Sequence, residues 1–333
     1  MASFLRNLWN KLSPARGPSP RALFLAAFGK HPGWDDHVEI GVDTERLTVV
    51  KRLLYIDGIG GNIESGAWDK LKPDQRLKGF NHVFVWRAEN NTVVGRLWSS
   101  QDGKGRGRYP MVVCAQSGMP LPWMVRTVLP ALEGVERACV ETTSAAAVGE
   151  VLEQARTTLR NDAAATRTLF GTRLTKLRQP SSAGERRELA ADNGGGVPII
   201  LYHLERELGA GDLPLTPRTP KLSPTRTAHL RVPALADLPA GGAIPWINFL
   251  KNFVTDETPI IAMAPNDGSW IDLIVGEPTA SQFYCLLASP AAIPLTTAIP
   301  YQLDEPFLSR ARAFIALRRP LSDAGAAVLG GRS

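Results

Sequence analysis

The spacing of apolar and polar positions changes several times along the chain, and each pattern predicts an element. Ala22-Leu23-Phe24-Leu25-Ala26-Ala27-Phe28 is a continuous apolar run stopped by Gly29, the signature of a strand buried on both faces. Thr44 to Ile56 places Leu47, Val50, Leu53 and Leu54 on one side and predicts an amphipathic helix. His82 to Trp86 and Thr92 to Trp98 flank Glu89-Asn90-Asn91, which predicts a hairpin whose Asn pair tolerates the turn. Tyr109 to Ala115 predicts a further strand. Helices are expected at about 122–133 and 144–160, the second with Val148, Val151, Leu152, Ala155 and Leu159 as its apolar stripe.

Residues 179–196 have loop composition, and Val197 to Glu207 resumes as a helix. Residues 209–245 are rich in Pro, Gly and Thr, with Arg218, Lys221, Arg226 and Arg231, and read as a linker or a binding loop. Beyond them, Pro245 to Phe253 predicts a helix. Pro259 to Ala264 and Trp270 to Val275 predict a hairpin around Asn266-Asp267-Gly268. Thr279 to Phe283 reads as a helix start and Tyr284 to Ala288 as a strand. The expected fold class is α/β: a mixed β-sheet with flanking helices, an α/β sandwich, with a Pro-rich excursion and a short N-terminal amphipathic helix. The chain divides into a basic tail and tether (1–21), an α/β region (22–178), a loop, helix and Pro-rich linker (179–245) and a C-terminal α/β segment (246–320) that belongs to the same domain or stands beside it.

The N-terminal segment differs in composition from the rest of the chain. Phe4, Leu5, Leu8, Trp9 and Leu12 share one helical face, Pro14 ends the helix, and Gly17-Pro18-Ser19-Pro20 forms a tether. Residues 1–13 could dock on a partner groove or a peripheral membrane surface, or pack back on their own domain. Residues 1–21 carry Arg6, Lys11, Arg16 and Arg21 and no acid, which is four of the net six positive charges. The rest of the chain holds 34 basic and 32 acidic side chains and is nearly neutral. That argues against nucleic acid, whose backbone requires a concentrated basic face. No apolar stretch reaches the roughly 20 residues of a membrane span. Arg6, Asn7, Asn10 and Lys11 interrupt any export-type apolar core, and the three cysteines form no framework. A cytoplasmic compartment is expected, with Cys114 a buried strand thiol.

Candidate chemistry concentrates in two loops. Gly29-Lys30-His31-Pro32-Gly33-Trp34-Asp35-Asp36-His37 follows the first strand; Ser99-Ser100-Gln101-Asp102-Gly103-Lys104-Gly105-Arg106-Gly107-Arg108-Tyr109-Pro110-Met111 follows the hairpin. In order and content these resemble the TagF/ImpM family of type VI secretion-associated proteins. That family opens with Gly-Lys-x-Pro…Gly-Asp-Phe after the first strand and later carries Ser-x-Asp-x-x-Gly-Arg running into an aromatic-Pro-Leu strand. Gly29, Lys30 and Pro32 match the first motif, with Asp36 as its acid. Ser100, Asp102, Gly105 and Arg106 match the second, and Tyr109, Pro110 and Met111 its strand entry. Trp34-Asp35-Asp36-His37 lacks the family's Phe, and Gly107-Arg108 duplicates its Gly-Arg. The resemblance covers about residues 22–140. It implies an α/β sandwich without catalysis that regulates type VI secretion in the bacterial cytoplasm. The implied partner of this regulatory protein is a component of the secretion apparatus or a forkhead-associated scaffold protein, met by protein–protein interaction.

Read as residues, the first loop offers three uses. Asp35 or Asp36 caps or braces backbone. Lys30, Trp34, Asp35 and Asp36 present charge and an aromatic anchor to a partner. Or His31, Asp35, Asp36 and His37 form a small-ligand, metal or acid–base site. The second loop, with Asp102, Lys104, Arg106 and Arg108 among glycines, could cradle an anion on its backbone N–H groups or form a solvated connection. It is no Walker loop, because a strand follows it. Gly58-Ile59-Gly60-Gly61-Asn62 follows a helical pattern and reads as a helix stop. His203 and His229 have no readable partners. There is no Gly-x-Ser-x-Gly, HExxH or CxxC. A binder therefore fits better than an enzyme, with no catalytic residue, metal or cofactor expected. The site residues are Lys30, Trp34, Asp35, Asp36, Ser100, Asp102, Lys104, Arg106 and Arg108.

Overall fold

A computed structural model describes residues 22–89, 91–170, 196–208, 221–235, 239–299 and 301–317. The tail assigned to residues 1–21, most of the 179–196 loop and the first part of the Pro-rich stretch lie outside the described residues. Eight strands form one sheet: β1 (Leu23–Lys30), β2 (His37–Ile40), β3 (Asn81–Ala88), β4 (Asn91–Ser99), β5 (Pro110–Ser117), β6 (Ala228–Pro233), β7 (Ile260–Pro265) and β8 (Trp270–Val275). Their order is β2-β1-β5-β4-β3-β7-β8-β6. Every ladder is antiparallel, where a mixture of directions was expected; one isolated parallel bridge joins Leu222 and Val254.

The period of two along the strands separates two cores. Leu23, Leu25 and Ala27 of β1, Val83 and Val85 of β3, and Leu230 and Val232 of β6 face one side. Against them pack helix α2 (Leu121–Trp123, Met124–Val128 and Leu129–Val140 in succession), α3 (Ala145–Phe170), α4 (Gly196–Leu208), α5 (Ala243–Leu250) and α6 (Glu305–Leu317). Phe28, Phe84, Trp86, Val112 and Ile274 face the other side. There they meet helix α1 (Glu45–Val50, Lys51–Gly60 and Gly61–Glu64 in succession) and the 3-10 helix Ala280–Leu287. Helix α1 starts at Glu45–Val50, where the Thr44 side chain accepts from Leu47 N–H. It then widens to π geometry over Lys51–Gly60 and ends with Gly61–Glu64. With helices on both faces, the strands are buried on both sides, which is why most of them read as continuous apolar runs.

Four local expectations are corrected. The glycines at 58–61 do not stop the helix. Gly58 sits inside α1 because a Cβ there would lie 2.5 Å from the Phe283 ring, so glycine lets the 3-10 helix approach. Tyr284 to Ala288 is not a strand but the end of that helix, begun by a Thr279–Gln282 capping box. The short edge strand β2 lies where loop was expected. Finally, the Pro-rich stretch contains β6, which pairs with β8 from Ala228↔Val275 to Pro233↔Trp270. The 259–265 and 270–275 strands join the first half through β3–β7 pairing, so they extend the same sheet.

Candidate functional site

The topology explains why the two loops meet. β1 pairs with β5 in antiparallel register from Leu23↔Ser117 to Gly29↔Met111, so the exit of β1 and the entry of β5 lie side by side at one sheet end. The segment after β1 and the segment before β5 therefore emerge together. Gly29 is required there: its φ is +122°, and a Cβ would sit 2.2 Å from Pro110 O. Backbone bonds then lock the loops, with Gly103 N–H donating to Trp34 O at 2.7 Å.

Beneath the surface lies a buried charge cluster. Lys30 is 4% exposed and Asp102 1%. Lys30 Nζ donates to Asp102 Oδ2 at 2.8 Å and to Asp36 Oδ1 at 2.7 Å. Asp102 also accepts from Arg106 Nε at 2.7 Å and from the backbone N–H groups of Lys104 and Arg106, both at 3.0 Å. Burial opposes both charges, but these bonds outweigh it. The Lys30 pKa lies above the ordinary lysine value, and Asp102 is held well below the usual carboxylate range. The Asp36 carboxyl is pulled down to about 2 by Lys30 and then His37.

This arrangement revises the anion-cradle reading of the second loop. The N–H groups of Lys104 and Arg106 that would hold an external anion are already taken by Asp102. The loop supplies its own anion, and recognition falls to side chains. Asp35, Asp36, Lys104, Arg106 and Arg108 are exposed. Arg106 Nη2 donates to Asp35 O at 2.6 Å and lies 3.6 Å from Asp36 Oδ1; Lys104 Nζ lies 3.7 Å from Asp35 Oδ2. Arg108 turns the other way, towards Asp69 at 3.3 Å. Trp34 is half-buried, packed against the first core and edge-on to His31, rather than free on the surface. Ser100 is half-buried within the loop.

The four-residue His/Asp site does not assemble. His31 is 1% exposed; its Nδ1 accepts from Gly33 N–H at 3.0 Å, so Nε2 donates to Cys139 O at 2.9 Å. Both ring nitrogens are committed to backbone, Nδ1 within its own loop and Nε2 at the end of α2. His37 instead packs edge-on against Tyr55 and Tyr109, with Nδ1 3.0 Å from Asp36. Desolvation and the nearby Lys30 charge hold its pKa below the ordinary histidine value.

A second buried cluster was not legible. Arg231 donates through Nε and Nη2 to Asp272 at 2.9 and 2.8 Å, and its remaining N–H groups reach Ala288 O, Ile293 O and Cys285 O. His229 Nε2 lies 2.9 Å from the same carboxylate. His229, Asp272 and Cys285 are close enough to suggest a metal site, but the guanidinium already occupies both carboxylate oxygens. The His-x-Arg alternation opposite an in-strand Asp was the available signal.

Fold and site together define an α/β sandwich on an antiparallel sheet, with two charged loops fused at one sheet end. No protein-family profile matches the chain, and no curated protein matches it. Among solved structures it is similar to PA0076 from Pseudomonas aeruginosa PAO1, at 17% identity and a TM-score of 0.30 over 39% of this chain and 61% of that one. The chain thus spans about three fifths of the length of that protein. No helix among the described residues is long and apolar enough to cross a membrane.

Proposed function

We propose that the chain is a cytoplasmic accessory protein of a type VI secretion system that regulates it by binding a partner protein through the fused loops. The Lys30–Asp102 pair carries this reading. A buried ion pair joins two motif segments 72 residues apart and holds their outer side chains in a fixed pattern. The motif residues Lys30, Asp102 and Arg106 brace; Asp35, Asp36, Lys104 and Arg108 are left for recognition. A mixed-charge surface of this kind selects partners and steers encounter more than it adds raw affinity. A secretion-apparatus component or a forkhead-associated scaffold protein is the partner class implied by the motif resemblance.

The test is affinity purification from the native bacterium, comparing wild type with an Asp36→Ala, Arg106→Ala, Arg108→Ala variant of equal solubility. Recovery of secretion-apparatus or forkhead-associated proteins by wild type alone supports the reading. Recovery of neither by both overturns it.

A further inference from the structure

Beside the fused loops, on the side to which Arg108 turns, lies a cleft of about 200 Å³. Trp68, Phe80 and Leu287, all under 10% exposed, form its apolar floor within a lining to which Asn62 and Ser99 add polar groups. Its rim is cationic, carrying Arg76, Lys78 and Arg108 against the single acid Asp69. Asp69 bridges the two arginines at 3.5 and 3.3 Å, one contact to each. Lys78 is exposed and has no ion pair among the described residues. The approach is basic too: the segment from Lys70 to Lys78 carries Lys70, Lys72, Arg76 and Lys78 against Asp74.

The cleft is also pre-built. Leu77 N–H donates to Leu287 O at 2.9 Å, Ser289 N–H to Gln75 O at 2.8 Å and Ser289 Oγ to Asp74 O at 2.8 Å, which clamps the basic segment to the end of the 3-10 helix. Trp68 Nε1 donates to Tyr284 O at 2.9 Å, so the indole's polar edge is satisfied. Binding there need order little of the protein.

We propose that this cleft is the pocket of the partner surface that receives an acidic peptide segment, one apolar side chain entering the floor while flanking carboxylates meet Arg76, Lys78 and Arg108. The volume selects this occupant. Dedicated small-molecule pockets run from about 300 Å³ upwards, whereas a single anchoring side chain needs less. A bare anion would leave the aromatic floor without a partner. Arg108 belongs both to the cleft and to the second loop motif, so one partner can span both. The proposal rests on the binding reading above and names the chemistry of the partner.

The test uses fluorescein-labelled peptides with a central Phe, Leu or Trp between two runs of three Glu, added to the full chain and followed by anisotropy. The expected result is saturable binding by at least one peptide. Replacing its central residue by Ser, or its Glu by Lys, weakens it about tenfold or more. Lys78→Glu and Arg108→Glu each weaken it about tenfold, consistent with a close charge pair at a partly desolvated surface. Arg160→Glu, the same charge change at an exposed position on α3, leaves it unchanged. Thermal unfolding confirms that all three variants fold. Three results overturn the proposal: no binding by any peptide, binding indifferent to the central residue, or full displacement by millimolar inorganic phosphate, which marks a simple anion site. Purification from the native bacterium separates this from the functional reading. If wild type and Lys78→Glu, Arg108→Glu recover secretion components equally, the cleft proposal fails alone. If peptide binding holds as expected and no secretion component is recovered, the functional reading fails alone.

Discussion

Replacing Arg231 with methionine keeps the aliphatic stem and removes five buried hydrogen bonds on the edge strand β6. Asp272, 1% exposed, is left with His229 as its remaining side-chain partner. Breaking a buried ion pair by removing one member costs about 3–5 kcal/mol. The structure sets a ceiling on the carboxylate's share. An orphaned Asp272 can take up a proton, and raising its occupancy from a pKa of about 3.9 to full protonation at pH 7 costs roughly 4 kcal/mol at 1.36 kcal/mol per unit. Ala288 O and Ile293 O lose their Arg231 donors, adding about 1 kcal/mol each at most. The ceiling at pH 7 is therefore about 6 kcal/mol, a large share of the 5–15 kcal/mol typical of a domain. The sign with pH follows from the native pair. Burial pushes the Asp272 pKa up, but bonds from His229 and Arg231 outweigh this and hold it below the ordinary value. The wild-type carboxylate therefore contributes stability above about pH 4 that is lost as pH falls further. In Arg231→Met the protonation cost shrinks by about 1.36 kcal/mol per unit, so its deficit at pH 5 is some 2–3 kcal/mol smaller than at pH 7. Urea unfolding of both proteins at pH 7 and pH 5, followed by circular dichroism, measures this. A deficit under about 1 kcal/mol at pH 7, or one equal at both pH values, refutes the buried-pair reasoning.

Three further outcomes are expected. His82 is fully buried with Nε2 unpartnered, and desolvation lowers its pKa to about 4; the unfolded chain binds its proton first, so stability falls as pH drops from about 6.5 towards 4, and His82→Phe flattens that slope in urea titrations. Gly29→Ala forces a methyl to 2.2 Å from Pro110 O at a φ of +122° and lowers stability by about 2 kcal/mol or more, read as a fall in melting temperature. Asp102→Asn removes the anion that holds the Lys104 and Arg106 amides. Hydrogen exchange should then speed at those two amides with little change in the β1–β5 ladder.

What the sequence disclosed follows from where charge was buried. β1, β3, β4, β5, β7 and β8 are buried on both faces and mostly apolar, and were legible as runs. β6 was not, because His229 and Arg231 alternate with Leu230 and Val232 in Pro- and Thr-rich company, and a buried arginine is indistinguishable from a solvated one until Asp272 is placed opposite it. β2 has only four residues, with His37 and Glu39 exposed. The helix through Gly58 defeated a propensity argument because tertiary contact with Phe283 decides there. For the site, both loops and their charged residues were legible, as was their candidacy for one surface. Which residues brace and which face outwards was not: that depends on β1 pairing with β5 and on Asp102 folding back on its own loop. The cleft depends on Arg76, Lys78 and Leu287, brought together from distant segments without a local motif.

Site-specific photocrosslinking in the native bacterium shows which protein touches the fused loops. A photoreactive residue placed at Lys104, on the fused loops, is compared with one at Arg160 on α3. A discrete adduct from position 104 whose mass spectrum identifies a secretion-apparatus or forkhead-associated protein is expected, and none from position 160. Adducts equal at both positions, or a position 104 adduct with proteins foreign to that apparatus, would contradict the proposed function.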